Sequence, residues 1–161
     1  FDYLLNYKED ITRKFICDLH KSIIKDTLKS ELTSQTGKYR DVQVFIRGVD
    51  FSPTKPKEVP KAMQVLLSWY SKNKEKLHPL ILAAYFHSAF ETIHPFVDGN
   101  GRVGRLLINF ILHKTGFPMV NIPNKKKYIY YSALESAQLK GNLKPLVKFL
   151  FDMLKEESIK F

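Results

Sequence analysis

The chain has 161 residues, 44% hydrophobic and 13% aromatic, enough for one folded domain with one core and too apolar for a disordered chain. Its formal net charge of +10 comes mostly from lysines scattered along the chain, which reads first as a solvated surface and only second as an anion-binding one. One cysteine, Cys17, excludes an intrachain disulfide and points to reducing, cytoplasmic surroundings, and no apolar run approaches the roughly 20 residues needed to cross a bilayer.

Residues 7–28 carry Ile11, Phe15, Leu19 and Ile23 at four-residue spacing, with Ile16 and Ile24 beside them, so an amphipathic helix is expected there. Residues 33–37 are turn-like. Val42, Val44 and Ile46 then alternate with Gln43, Phe45 and Arg47, the two-residue period of a strand, and a β-hairpin flap is expected over about 39–53. Pro53, Pro56 and Pro60 keep the following stretch extended until a helix starts near Pro60, with Met63, Leu66, Leu67 and Tyr70 inward. Residues 72–76 are a polar break. The next helix, 79–93, has almost no polar face and belongs at the centre of a bundle. Further helices are expected at 102–114, 127–139 and 143–157, with Gly116 and Gly141 marking stops. The fold class is mainly α, one domain over 1–161. The chain opens on Phe1 rather than Met and without a secretory signal, as an excerpt of a longer protein would.

The chemistry concentrates in residues 94–105, HPFVDGNGRVGR. A helix ends, a short loop with two glycines follows, and a second helix begins. The start of a helix offers unpaired backbone N–H groups and the positive end of a dipole, so it attracts phosphate. Gly99 and Gly101 allow the backbone to approach an anion closely. Arg102 and Arg105 share a helical face at this end, and guanidinium forks suit phosphate oxygens. Asp98, the loop's one carboxylate, suits Mg²⁺ in a phosphate site. His94 can accept a proton near neutral pH. These are the parts of phosphoryl-type transfer. Neither a P-loop nor a Rossmann glycine pattern is present.

The stretch resembles the signature of the Fic family, HPFx[DE]GNGRxxR, at every specified position. The residues Gly37, Lys38, Tyr39 and Arg40 before the alternating segment, Trp69, His78 with Pro79, and 130–134 after the loop also resemble that family. The resemblance implies a Fic-type helical bundle whose loop lies between two central helices. It implies an adenylyltransferase that uses ATP and Mg²⁺ to move AMP onto a Ser, Thr or Tyr hydroxyl of a target protein, releasing pyrophosphate, with His94 as base. Asp98 would hold the metal. Gly99, Asn100 and Gly101 would form the anion hole, and Arg102 and Arg105 would hold the β- and γ-phosphates. Tyr130, Tyr131 and Gln138 would flank the nucleoside, although the family often has asparagine at the last position. Phe96 would anchor the loop. The flap, with Val42, Val44, Phe45 and Ile46, would pair with an extended stretch of the target.

Family members are often inhibited by a helix bearing [ST]xxxE[GN]. Thr54 with Glu58 and Ser71 with Glu75 have the spacing, but neither glutamate precedes Gly or Asn. An inhibitory helix is therefore expected from outside this chain, and the chain itself is expected to be uninhibited. Altered family loops transfer other phosphate-linked groups, and some members remove AMP; the intact GNGR favours AMP transfer. Association with a second copy is left open. Two rivals from other classes stand beside this reading. His87, Glu91 and His94 could share one helical face as a zinc site, although HExxH order is absent; the plainer alternative has His87 in a buried hydrogen bond and Glu91 bracing the loop. Lys125, Lys126 and Lys127 could grip nucleic acid, although no helix-turn-helix or finger pattern accompanies them.

Overall fold

A computed structural model describes residues 6–24, 34–46, 48–49 and 51–158. Among these residues there are six α-helices: α1 (Arg13–Ile24), α2 (Val59–Asn73), α3 (Pro79–Ile93), α4 (Asn100–Lys114), α5 (Lys127–Lys140) and α6 (Lys144–Ser158). Helix α1 begins six residues later than its apolar pattern suggests, because Thr12 caps it: the Thr12 Oγ1 accepts from the Phe15 N–H at 3.1 Å. Tyr7 contributes to the core from outside the helix, stacking on Phe15 at 4.2 Å between ring centroids. The expected helical positions 25–28 lie outside the described residues.

Helix α3 is the axle of the bundle. It packs against α2, α4, α5 and α6, while α1 lies on α4 and α2. His78 caps its start, accepting from the Leu80 N–H, and Pro79 takes the first turn, where a missing N–H costs nothing. Its all-round apolar sequence follows from that central place. Leu82, Ala83, Ala84, Phe86 and Phe90 are buried, and each of the larger ones contributes roughly 1.5–3 kcal/mol by leaving water.

The hairpin expected over 39–53 is not shown among the described residues. Among the described residues of this stretch no strand is present, and residues 47 and 50 lie outside them. The alternation of Val42, Val44 and Ile46 is compatible with a strand, but a strand forms only when another segment pairs with it, and the chain bends at 41–42. Val42 and Phe45 instead point into solvent, Phe45 with 83% of its surface exposed.

Helix α4 carries two buried asparagines that work alike. Asn109 donates to the Val120 carbonyl (3.0 Å) and accepts from the Val120 N–H (2.8 Å). This pins the 115–123 connection to the helix. Asn100, at the other end, does the same for the loop that leads into the helix.

Candidate functional site

Helix α3 terminates on His94, whose φ of 53° puts it in the left-handed region, alone among the described non-glycine residues. Its N–H still reaches the Phe90 carbonyl at 2.8 Å. Such a conformation costs about 1–3 kcal/mol for a residue with a Cβ and persists only where the surroundings impose it. Here the imposition comes from Arg40. Its Nε donates to the His94 carbonyl at 2.7 Å, and its Nη2 reaches the Ile93 carbonyl at 3.2 Å. These are the carbonyls that a helix end leaves unpaired.

The loop beyond is clasped from inside. The Phe96 N–H donates to Asn100 Oδ1 and the Phe96 carbonyl accepts from Asn100 Nδ2, both at 2.8 Å. Phe96 is fully buried, and the His20 ring lies flat on it at 3.8 Å. His20 Nδ1 accepts from the Gly37 N–H at 2.9 Å. The proton therefore sits on Nε2, which donates to the Asp98 carbonyl at 3.0 Å. One imidazole thus ties α1, the 34–40 segment and the loop together. Burial lowers its proton affinity, in keeping with a neutral ring. Sequence reasoning named neither His20 nor Arg40 as a site residue. The available signal for His20 was a polar side chain on the buried stripe of α1.

Gly99 caps α4 at φ +79°, and a Cβ there would stand 2.3 Å from Ile24 Cδ1, so both conformation and space require glycine. No side chain caps this helix start, the arrangement that leaves backbone N–H groups for an anion. Asn100 spends its side chain on Phe96, so only its backbone can face a ligand there. Asp98 Oδ1 accepts from the Gly99 N–H at 2.6 Å, while Oδ2 lies 3.5 Å from Arg102 Nη2 in a half-exposed pair. One solvent-facing carboxylate beside a phosphate cradle fits Mg²⁺, which takes one or two protein carboxylates and completes its shell with substrate phosphates and water.

His94 lines a cavity of about 460 Å³ together with Ile46, Tyr131, Gln138 and Glu91. Arg102 and Arg105 line a second, of about 640 Å³, with Asn109 and Asn121. Tyr130 is turned into the core: it is 2% exposed, and its hydroxyl meets His87 Nε2 at 2.6 Å. Burial raises the pKa of that hydroxyl, and the nearby Arg105 charge opposes the rise. Tyr131 is half exposed at the cavity wall, and Gln138 donates to Thr92 Oγ1 at 3.2 Å. Val44 and Ile46 are half-buried, whereas Val42 and Phe45 are exposed.

Beneath the loop lies a buried polar group of three. His94 Nδ1, Glu91 Oε1 and His87 Nδ1 are buried without a hydrogen-bond partner among the described residues. Burial pushes His94 down to about 4 and His87 down to about 3, and raises Glu91 to about 7. Each moves toward its neutral form, as loss of solvation dictates. Since Nδ1 of His94 is the buried nitrogen, Nε2 is the one left to the cavity. Gly104 makes room for the group: a Cβ on it would come within 2.3 Å of Glu91 Oε1 and 2.8 Å of His87. Among the described residues no three His, Cys, Asp or Glu side chains have the geometry of a metal site, so the zinc arrangement of His87, Glu91 and His94 is not supported. His87 makes a buried hydrogen bond instead.

The molecule is thus a helical bundle that presents a glycine-capped helix start next to a buried histidine whose ring burial keeps neutral. The Fic/DOC family profile matches residues 10–112, and the chain belongs to that family. It is 37% identical over 148 residues to the protein adenylyltransferase Fic of Nematostella vectensis, an alignment covering 91% of this chain and 33% of that protein. Among solved structures it is similar to a Fic domain containing signaling protein from Bacteroides thetaiotaomicron, with TM-score 0.78 and 31% identity over 95% of this chain and 63% of that one. It is also similar to Fic-1 from C. elegans, with TM-score 0.82 and 28% identity over 96% of this chain and 44% of that one. The chain spans about a third of the length of the curated relatives it matches.

Proposed function

We propose that this domain transfers AMP from ATP to a hydroxyl of a target protein. The observation that carries the reading is the juxtaposition at the end of α3: an uncharged imidazole on a cavity wall, followed within six residues by a helix start whose cap is glycine. In the reaction the hydroxyl oxygen attacks the α-phosphorus. His94 Nε2 takes its proton as the new O–P bond forms. The bond from the α-phosphorus to the bridging oxygen breaks, and pyrophosphate leaves with that electron pair.

An imidazole kept neutral by burial is ready to accept at pH 7, and an anionic triphosphate beside it raises its proton affinity at the right moment. The start of α4 and Arg102 face the phosphates, and Arg105 supplies further positive charge at the same end. Asp98 would hold Mg²⁺, which neutralises phosphate charge when bound. Tyr131 and Gln138, on the wall of the His94 cavity, are the residues assigned to the nucleoside; Tyr130 supports that wall from behind. The exposed segment with Val42, Val44, Phe45 and Ile46 would receive an extended stretch of the target, pairing backbone to backbone. This supplies the strand partner that the segment lacks by itself. A cytoplasmic setting fits the single Cys17. An inhibitory helix, where one operates, would come from outside residues 1–161.

The test uses two labels. The protein is incubated with lysate, Mg²⁺ and ATP labelled at either the α- or the γ-phosphate. Label on protein from the α-position only is the expected outcome. Label from the γ-position only would replace AMP transfer with a kinase-like reaction.

A further inference from the structure

Arg40 is the largest of the fully buried side chains, with 2% of its surface exposed. Buried arginines require their donors to be used, and this one uses them on backbone carbonyls from three separate places. Nε and Nη2 reach His94 and Ile93 at the end of α3. Nη1 donates to the Val42 carbonyl at 2.9 Å. Nη2 also donates to the Thr54 carbonyl. The main chain repeats the pattern, with Arg40 N–H to the Pro95 carbonyl (2.8 Å) and Thr54 N–H to the Thr92 carbonyl (3.4 Å). The segment between Val42 and Thr54 therefore leaves and returns at one guanidinium, and that guanidinium is bonded to the backbone of the histidine.

We infer that Arg40 is a positioning residue that sets the register between the target-docking segment and His94. The inference rests on the AMP-transfer reading of the site. A strand paired along 42–46 takes its place from the Val42 backbone, and Val42 is one hydrogen bond from Arg40. Arg40 is in turn one hydrogen bond from His94. The hydroxyl presented by such a strand is thus placed relative to Nε2 through a single rigid, planar group. Lysine cannot substitute: it is a point donor on a flexible stem and cannot span four carbonyls in a plane.

The experiment compares wild type with Arg40→Lys. Three quantities are read: MgATP affinity by calorimetry, AMP transfer to lysate protein from α-labelled ATP, and amide exchange across 41–46. In the variant, MgATP affinity should stay within about twofold. Transfer should fall about 10- to 100-fold, the scale of a misplacement near 1 Å. Amides of 41–46 should exchange faster while those of α3 and α4 do not. Transfer at the wild-type level, or transfer and MgATP affinity falling together, would overturn the inference. Should the lysine variant not fold, the wild type decides: the Arg40 Nε–H resonance should exchange slowly with and without MgATP, and exchange as fast as that of a surface arginine would sink the idea. A wild type that never transfers label would defeat the AMP-transfer reading, whereas amide exchange in 41–46 still reports on the clamp.

Discussion

His94 Nδ1 lies 3.6 Å from Oε2 of Glu91, three residues earlier on the same helix, with Glu91 only 7% exposed. The separation exceeds a hydrogen bond, and burial drives both groups toward neutrality. The pair is therefore not a closed ion pair at pH 7. It joins a neutral imidazole to a carboxyl that burial raises to about 7, and its pH dependence has a definite sign.

Glu91 is raised to about 7 in the fold against an ordinary value of 4.5. An unfolded chain releases this proton near 4.5 and the fold holds it until about 7, so the stability Glu91 contributes is present below 4.5 and lost as pH rises through 7. The loss is on the order of 3 kcal/mol. His87 and His94 act oppositely. Their folded values of about 3 and about 4 lie below the ordinary 6.5, so stability is lost as pH falls below 6.5. Urea unfolding of Glu91→Gln and wild type at pH 4.5 and 7.5 checks this. The stability difference should shift by a few kcal/mol in favour of the variant at the higher pH, and a pH-independent difference would refute the assignment.

His94→Ala should lower AMP transfer by about 10²–10⁴-fold, the usual value of a positioned base. MgATP binding should persist, because in the proposed reaction the phosphates would be held by the start of α4 and the arginines. Calorimetry beside the α-label assay separates the two. An alanine variant with wild-type transfer would remove His94 from the chemistry.

Gly104→Ala should be costly for a different reason. The new methyl would overlap Glu91 Oε1 and His87 across the contact between α3 and α4. Overpacking of this kind costs about 1–3 kcal/mol. Thermal unfolding should show the loss, and transfer should fall with it because Glu91 and His94 share one helix end. A variant as stable as wild type would mean that the two helices separate freely.

Asn100→Ala should leave a buried N–H and a buried carbonyl on Phe96 without their partners. Each such group costs about 1–3 kcal/mol. Asn100→Asp keeps the acceptor but sets a desolvated, acceptor-only carboxylate against the Phe96 carbonyl, so its denaturant midpoint should also fall below wild type. An aspartate variant as stable as wild type would contradict the clasp.

Much of the molecule was readable before any coordinates. Helix α3 was legible because Pro79 and His94 bound a run with almost no polar face, and period and punctuation are local properties. The signature loop was legible for the same reason: glycines, an acid and two arginines within twelve residues state their chemistry by order alone. The hairpin was not. Alternation in Val42, Val44 and Ile46 permits a strand, but pairing is a relation with another segment, and these residues describe only one side of it. His20, Arg40 and Gly104 escaped because their roles are distances between segments far apart in sequence. The burial of Tyr130 against His87 is likewise a matter of packing between distant segments. What the sequence alone determined was therefore the helices and the signature loop, whose causes lie within a few neighbouring residues. The burial that neutralises His94 and the guanidinium that holds it were decided only by the tertiary fold, since desolvation and cross-chain hydrogen bonds exist only once distant segments meet.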